Sequence, residues 1–220
     1  MQHKKPRAAI AKMALAFFSI CLTLTGVACR DLPATAPDGS LKANTGAKRT
    51  LGTFRPVEGT TYLMAPVTSQ SEGEYSKSEY NNVHNHVFFN TVDESTRVLL
   101  PTDDYWILET KSLPERQEDS DRQAPAIQWF LYFLVKFDTD GDRKLTHKDN
   151  RTLAVSDAAG DGFVEIIPDI EQIYGQALRD DKTLLVIFRT QSKKHVAKID
   201  LPNKKIVSTK ELALPLDDLQ

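Results

Sequence analysis

Trp129-Phe-Leu-Tyr-Phe-Leu-Val-Lys-Phe137 is an aromatic and β-branched run, a composition that suits a pleated strand better than a helix. It is followed at once by the polar stretch Asp138-Thr-Asp140-Gly-Asp142. Outward in both directions, short β-type runs alternate with turn chemistry, and no long stretch holds apolar positions at helical spacing. The runs that read as strands are 61–67, 84–91, 96–100, 105–110, 126–137, 152–156, 163–167, 173–178, 183–190, 195–201 and 205–212. Two polar segments, 69–82 and 114–123, interrupt them and read as loops. The fold class expected is therefore all-β.

A faint internal repeat organises these strands. Val87-Phe-Phe-Asn90 followed by Arg97-Val-Leu-Leu-Pro101 lines up without gaps, at an offset of 67, with Ala154-Val-Ser-Asp157 followed by Val164-Glu-Ile-Ile-Pro168. Each copy reads as a hairpin whose first strand ends in Asn or Asp, a residue that bonds its own backbone in a turn. Val196-Ala-Lys-Ile-Asp200 with Lys205-Ile-Val207 supplies a third copy. Such hairpins resemble the middle strands of β-propeller blades. Two to three units are too few to close a propeller, which needs about four or more blades, so the resemblance implies a curved sheet, a sandwich or a partial propeller.

The chain has 220 residues, of which 40% are hydrophobic and 26% charged, ordinary proportions for a globular protein. Residues 1–28 carry Lys4, Lys5, Arg7 and Lys12 with no acid, so the rest of the chain is at −6 although the whole is at −2. That balance argues against a nucleic-acid partner. Both cysteines, Cys21 and Cys29, lie in the first 29 residues, which leaves the body without a disulfide, a thiolate metal site or a cysteine nucleophile.

Residues 2–12 form a basic segment, and Met13-Ala-Leu-Ala-Phe-Phe-Ser-Ile-Cys-Leu-Thr-Leu-Thr25 is an apolar run closed by Gly26-Val27-Ala28 and Cys29. The order basic, apolar, small is that of a secretory signal peptide, and the run is shorter than the ~20 residues a spanning helix needs. The stretch resembles a bacterial lipoprotein signal, which implies cleavage before Cys29 and lipidation of that cysteine. Gly26 stands where that family carries an aliphatic residue. Lipidation would also remove an exposed, unpaired thiol from an oxidising compartment. Arg30 rather than Asp follows the cysteine, which implies sorting to the outer membrane, periplasm-facing or at the cell surface, with secretion as the outcome without lipidation. Residues 30–59 are rich in Pro and Gly, without hydrophobic period, and read as a tether, although 51–57 has the composition to pack. The expected organisation is a signal helix over 1–28, the lipidated cysteine and flexible tether over 29–59, and a β-domain over 60–220.

Asp138-Thr-Asp140-Gly-Asp142-Arg-Lys144-Leu-Thr146-His-Lys-Asp149 sets carboxylates at loop positions 1, 3, 5 and 12. This spacing resembles the EF-hand calcium loop, whose alternate oxygens surround a hard cation. The resemblance implies carboxylate ligands from Asp138, Asp140, Asp142 and Asp149, the Lys144 carbonyl, and Thr146 directly or through water. Position 6 is Arg143 where the pattern has Gly, and position 12 is Asp149 where it has Glu. Thr146-x-x-Asp149 has capping-box spacing, enough for one helical turn. A charged hairpin turn is the plainer alternative.

His84 and His86 alternate and share a strand face, but without a third ligand they read as a structural pair. Asp157 with Asp161-Gly162 reads as a turn, and Trp106 and Trp129 as core or rim aromatics. No phosphate loop, nucleophile elbow or catalytic carboxylate pair appears. The reading expected is a bacterial cell-envelope lipoprotein, a non-enzymatic scaffold or binding domain with one structural Ca2+, anchored in the membrane and with an envelope protein or glycan as its possible partner. A carbohydrate- or peptide-binding module using Tyr62, Tyr105 and Trp106, or an envelope enzyme subunit, are the alternatives.

Overall fold

A computed structural model describes residues 48–69, 83–115 and 125–213. The signal segment, Cys29 and the first part of the tether lie outside the described residues, as do nearly all of the loops expected at 69–82 and 114–123. Among the described residues there is no helix. Thirteen strands run in chain order: β1 (Arg49–Leu51), β2 (Arg55–Pro56), β3 (Tyr62–Ser69), β4 (Val83–Asn90), β5 (Thr96–Val98), β6 (Trp106–Leu113), β7 (Trp129–Val135), β8 (Arg151–Asp157), β9 (Val164–Ile170), β10 (Gln172–Leu178), β11 (Thr183–Thr190), β12 (Lys193–Asp200) and β13 (Lys205–Glu211). All pairings are antiparallel, in one sheet ordered β1-β3-β4-β6-β7-β8-β9 and a second ordered β10-β11-β12-β13. The meanders β6 to β9 and β10 to β13 each have the four-strand order of a propeller blade. The all-β expectation holds.

The eleven strands expected from the sequence are all present within a few residues of their expected ends. Strands β1 and β2 were not expected, and they correct the tether. Arg49–Leu51 pairs with the end of β3, Arg55–Pro56 with its start, and Val57 is buried at 2% exposure. The domain therefore begins by Arg49 and not at residue 60. Proline at β2 is tolerated because this two-residue strand lies off the main path of the sheet. The turn at Gly59 has φ +76, and a Cβ there would lie 2.3 Å from that of Ala126, so only glycine lets this arm close against the entry to β7.

Every side chain of β7 is buried, and the two-residue period of a strand sends them alternately to opposite faces. Trp129, Leu131 and Phe133 join one hydrophobic cluster, together with Leu153 and Val155 of β8 and Leu184, Val186, Ala197 and Ile199 of the second sheet. Phe130, Tyr132 and Leu134 join another, with Phe88, Leu99, Leu100 and Ile107. The strand is thus the shared wall of two cores.

The offset of 67 survives as three-dimensional register. Val87 pairs with Val98 and Phe88 with Arg97, while Ala154 pairs with Glu165 and Val155 with Val164, which are the positions the repeat equates. In the turns, Asn90 Oδ1 accepts the Val92 N–H and Asp157 Oδ1 accepts the Ala159 N–H, both at 3.0 Å. The aliphatic pair before each proline is buried: Leu99 and Leu100 in one core, Ile166 and Ile167 in the other. Strand β5 is shorter than expected because Leu100 leaves the ladder for a side chain. Its N–H donates to Asn85 Oδ1 and its carbonyl accepts from Asn85 Nδ2, both at 2.9 Å.

Removing apolar volume from either face of β7 leaves a cavity that a two-sided strand relaxes poorly. Leu131→Ala and Leu134→Ala, both fully buried, are each expected to cost about 2–5 kcal/mol and to preserve a single unfolding transition in denaturant. Two separable transitions would show that the cores are independent.

Candidate functional site

The loop between β7 and β8 starts where the apolar run ends. Lys136 fixes its approach: the ammonium lies 2.8 and 2.9 Å from the two carboxylate oxygens of Glu165 and 5.0 Å from the centre of the Tyr105 ring. Within the loop, Asp138, Asp140 and Asp149 each bring one carboxylate oxygen within 4.8 Å of the others. Asp138 is half-buried, Asp140 exposed and Asp149 buried at 1% exposure.

Backbone N–H groups hold this arrangement together. Asp138 accepts from Gly141 through Oδ1 and from Arg143 through Oδ2, both at 2.7 Å. Desolvation pushes the Asp138 carboxyl upward, but the Arg143 and Gly141 N–H groups outweigh it and hold its pKa below the ordinary carboxylate value. Asp149 Oδ1 accepts from the Thr139 N–H at 2.6 Å and its hydroxyl at 3.2 Å, and Oδ2 from the Thr146 N–H at 2.7 Å. Arg143, at the position where the calcium pattern carries glycine, adopts φ 66, and Gly141 adopts φ 80. The backbone therefore makes the left-handed turn at position 6 with a residue that carries a Cβ, at the steric cost such a residue incurs.

Of the six residues singled out in sequence, Asp138, Asp140 and Asp149 converge. Asp142 is outside that group, its Oδ1 accepting the Lys144 N–H at 2.8 Å. Thr146 Oγ1 accepts the Lys148 N–H at 3.2 Å, and Lys144 is exposed. The expected helical turn at 146–149 forms as a plain turn, with Asp149 N donating to the Thr146 carbonyl at 3.3 Å. Thr139 escaped the sequence reading, because position 2 carries no ligand in the calcium pattern. Yet its hydroxyl accepts the Asn150 N–H at 2.8 Å and so ties the loop's two ends.

The other candidates resolve as structure. Asp157 Oδ1 takes the N–H groups of Ala159 and Asp161, and the Asp161 carboxylate pairs with Arg97, which is turn chemistry. Tyr62 and Tyr105 pack against the second core and Trp106 is half-buried, so these three do not form an exposed aromatic platform. His84 is buried, with Nδ1–H donating to the Tyr105 carbonyl at 2.8 Å and Nε2 accepting from the Ser69 hydroxyl at 3.0 Å. His86 is buried too. Its Nε2 lies 2.9 Å from Thr110 Oγ1, while Nδ1 has no hydrogen-bond partner among the described residues.

No protein-family model matches this chain, and no curated protein does. Three solved structures are similar to it in chain path. A luciferin-regenerating enzyme is 11% identical with a TM-score of 0.42, over 78% of this chain and 50% of that one. The β-propeller domain of the Trilobed protease from Pyrococcus furiosus is 14% identical with a TM-score of 0.34, over 75% and 43%. The Dos1 propeller is 10% identical with a TM-score of 0.36, over 74% and 48%. This chain spans about half the length of each. The expectation of a non-enzymatic role is withdrawn: one of these structures is an enzyme, and the likeness to all three is one of chain path alone.

Burial lowers the His86 pKa to about 4 from an ordinary 6.5, so the folded state holds the ring neutral while the unfolded chain takes up a proton below about pH 6.5. The stabilisation is complete above pH 6.5 and is lost as pH falls toward 4. Its full size is roughly 3 kcal/mol. Burial shifts His84 in the same direction. Denaturant melts from pH 7 to 4 should show stability falling across this window for the wild type and a shallower fall for His86→Phe; identical slopes would assign the pH dependence to other groups.

Proposed function

We propose that this chain is a cell-envelope lipoprotein, anchored through Cys29, whose β-domain serves as a binding or scaffold module stiffened by one calcium ion in the 138–149 loop. The observation that supports the ion is the convergence of three carboxylates on a loop whose ends leave two core strands. Three like charges within 4.8 Å repel one another, and a divalent cation turns that repulsion into attraction. The N–H groups around Asp138 and Asp149 keep the carboxylates in place before the ion arrives. Asp138, Asp140 and Asp149 would supply carboxylate oxygens, and waters would complete the six to eight oxygens that calcium takes. Asp142 would join only after giving up its bond to Lys144.

The ion's role would be mechanical. Strand β7 is the wall of both cores and β8 pairs with it over its whole length, so closing their connection holds the two strands in register. Millimolar-range affinity is enough outside the cytosol.

At calcium a hundredfold above Kd, binding adds about 2.7 kcal/mol, which for a domain of this size raises Tm by several degrees. Asp140→Ala should erase that increment with little change in the chelated protein. Asp149→Ala should lower Tm even in chelator, because it removes the shared acceptor of the Thr139 and Thr146 N–H groups, each such hydrogen bond contributing about 1 kcal/mol. Equal Tm in calcium and in chelator for wild type would reduce the loop to a charged turn. For the anchor, metabolic labelling with a fatty acid should mark wild type and not Cys29→Ser; equal labelling would remove lipidation.

A further inference from the structure

The repeat at an offset of 67 leaves one sheet face without the cover its counterpart has. Leu63, Ala65 and Val67 of β3 stand 67 residues before Phe130, Tyr132 and Leu134 of β7, and Ala65 pairs with Val87 as Tyr132 pairs with Ala154. In the second copy these residues are buried in a cluster with Phe88, Leu99 and Leu100 of the first. In the first copy Met64 and Phe88 belong to that same cluster, so by the period of two Leu63, Ala65, Val87 and Phe89 take the opposite face. Neither hydrophobic core includes them.

Register defines this face rung by rung. Pro56, Leu63, Phe89 and Thr96 form one rung, Ala65, Val87 and Val98 the next, and Leu51, Val67 and Asn85 a third. The Phe54 ring meets Phe89 edge-on, with centres 6.2 Å apart. Val98 and Leu51 are 56% and 50% exposed, and Phe54, Leu63, Val67, Val87 and Phe89 are half-buried. These rungs hold no charged side chain. Arg55 and Arg97, opposite Met64 and Phe88, take the other face. At one end Arg49 Nη2 donates to the Asp103 carbonyl at 2.9 Å, and Asp103 Oδ1 accepts from Asn85 Nδ2 at 2.8 Å. At the other end Asp93 and Glu94 lie in the turn between β4 and β5.

We propose that two copies of this chain pair through this face, sheet on sheet, about a two-fold axis. A contiguous apolar patch at the surface of a domain marks an interaction site, and the charge pattern selects the occupant. Rungs without charge meet their own copy without opposing like charges, as a self-complementary two-fold contact requires. The outer face of β10 to β13 is a poorer match, because its register positions include Arg189, Lys194, Lys198, Asp200, Lys205 and Lys210, charges that would lose water against an apolar surface. A face four strands wide and about seven residues long spans roughly 19 by 23 Å. Over both partners that is about 900 Å² of flat area, near the lower limit of specific interfaces, so the dimer is reversible. The inference depends neither on the calcium ion nor on acylation of Cys29.

The test is sedimentation velocity over a series of protein concentrations, on the full chain carrying Cys21→Ser and Cys29→Ser so that neither disulfides nor acylation contribute. Expected is a monomer–dimer equilibrium. Val98→Asp and Leu51→Asp change exposed side chains, so each should leave Tm little changed while weakening the dimer by about a hundredfold or more, because an uncompensated charge is buried. Ile187→Asp, on the outer face of β11, should leave the dimer as it is. A monomer at every concentration overturns the proposal. So does association that survives Val98→Asp and Leu51→Asp together, which would assign it to residues outside this face. Loss of association on Ile187→Asp as well would assign a head-to-tail contact between the two sheet faces and overturn the two-fold arrangement.

Discussion

Strand β7 is the constraint on which the rest of the domain depends. A strand has only two faces, and in β7 both are taken by cores: one shared with the second sheet, the other with β4, β6 and the segment after β5. Each large aliphatic or aromatic side chain removed from water contributes about 1.5–3 kcal/mol, and here seven consecutive side chains are buried. Net domain stabilities are only about 5–15 kcal/mol, so losing register along this strand would forfeit a stabilisation comparable to the whole. Its ladder partners β6 and β8 pair with it over its full length, and the sheets build outward from that pair.

The 67-residue repeat shows how a small chain reuses one solution. In each copy an Asx side chain closes the turn, a cross-strand pair keeps the same register, and an aliphatic pair drops into a core. The two copies serve different cores, which is why their surroundings diverge. Gly160 lies in the second copy's turn at φ +77, and a Cβ there would sit 2.5 Å from the Phe88 ring of the first. The two hairpins are therefore in contact at a point where only glycine fits.

At the far end of β7 the buried strand gives way to a loop of carboxylates. Apolar burial and charge repulsion meet there within a few residues. The backbone donors to Asp138 and Asp149, the ties from Thr139 and the contact of Lys136 with Glu165 hold the loop in one shape. If the loop takes the proposed calcium ion, this preorganisation would lower the ordering cost of binding relative to a flexible acidic segment.

Composition and local chemistry determined much of this protein. The β-branched and aromatic runs marked the strands because those side chains suit a pleated surface, the Asx residues marked turns because they bond their own backbone, and the spacing of Asp138, Asp140 and Asp149 marked a loop that draws them together. Other features were decided only by tertiary structure. The short segments Arg49–Leu51 and Arg55–Pro56 carry no periodic signal and become strands because β3 offers them an edge. Asn85 ends a strand by substituting its amide for a backbone partner 15 residues away, and His86 loses its ordinary basicity because the fold buries it. That β7 divides two cores, and that one face of the β3 to β5 ladder gathers apolar residues from separate strands, are matters of which elements lie opposite one another. A linear pattern records the period of each strand; long-range pairing alone determines what each face meets.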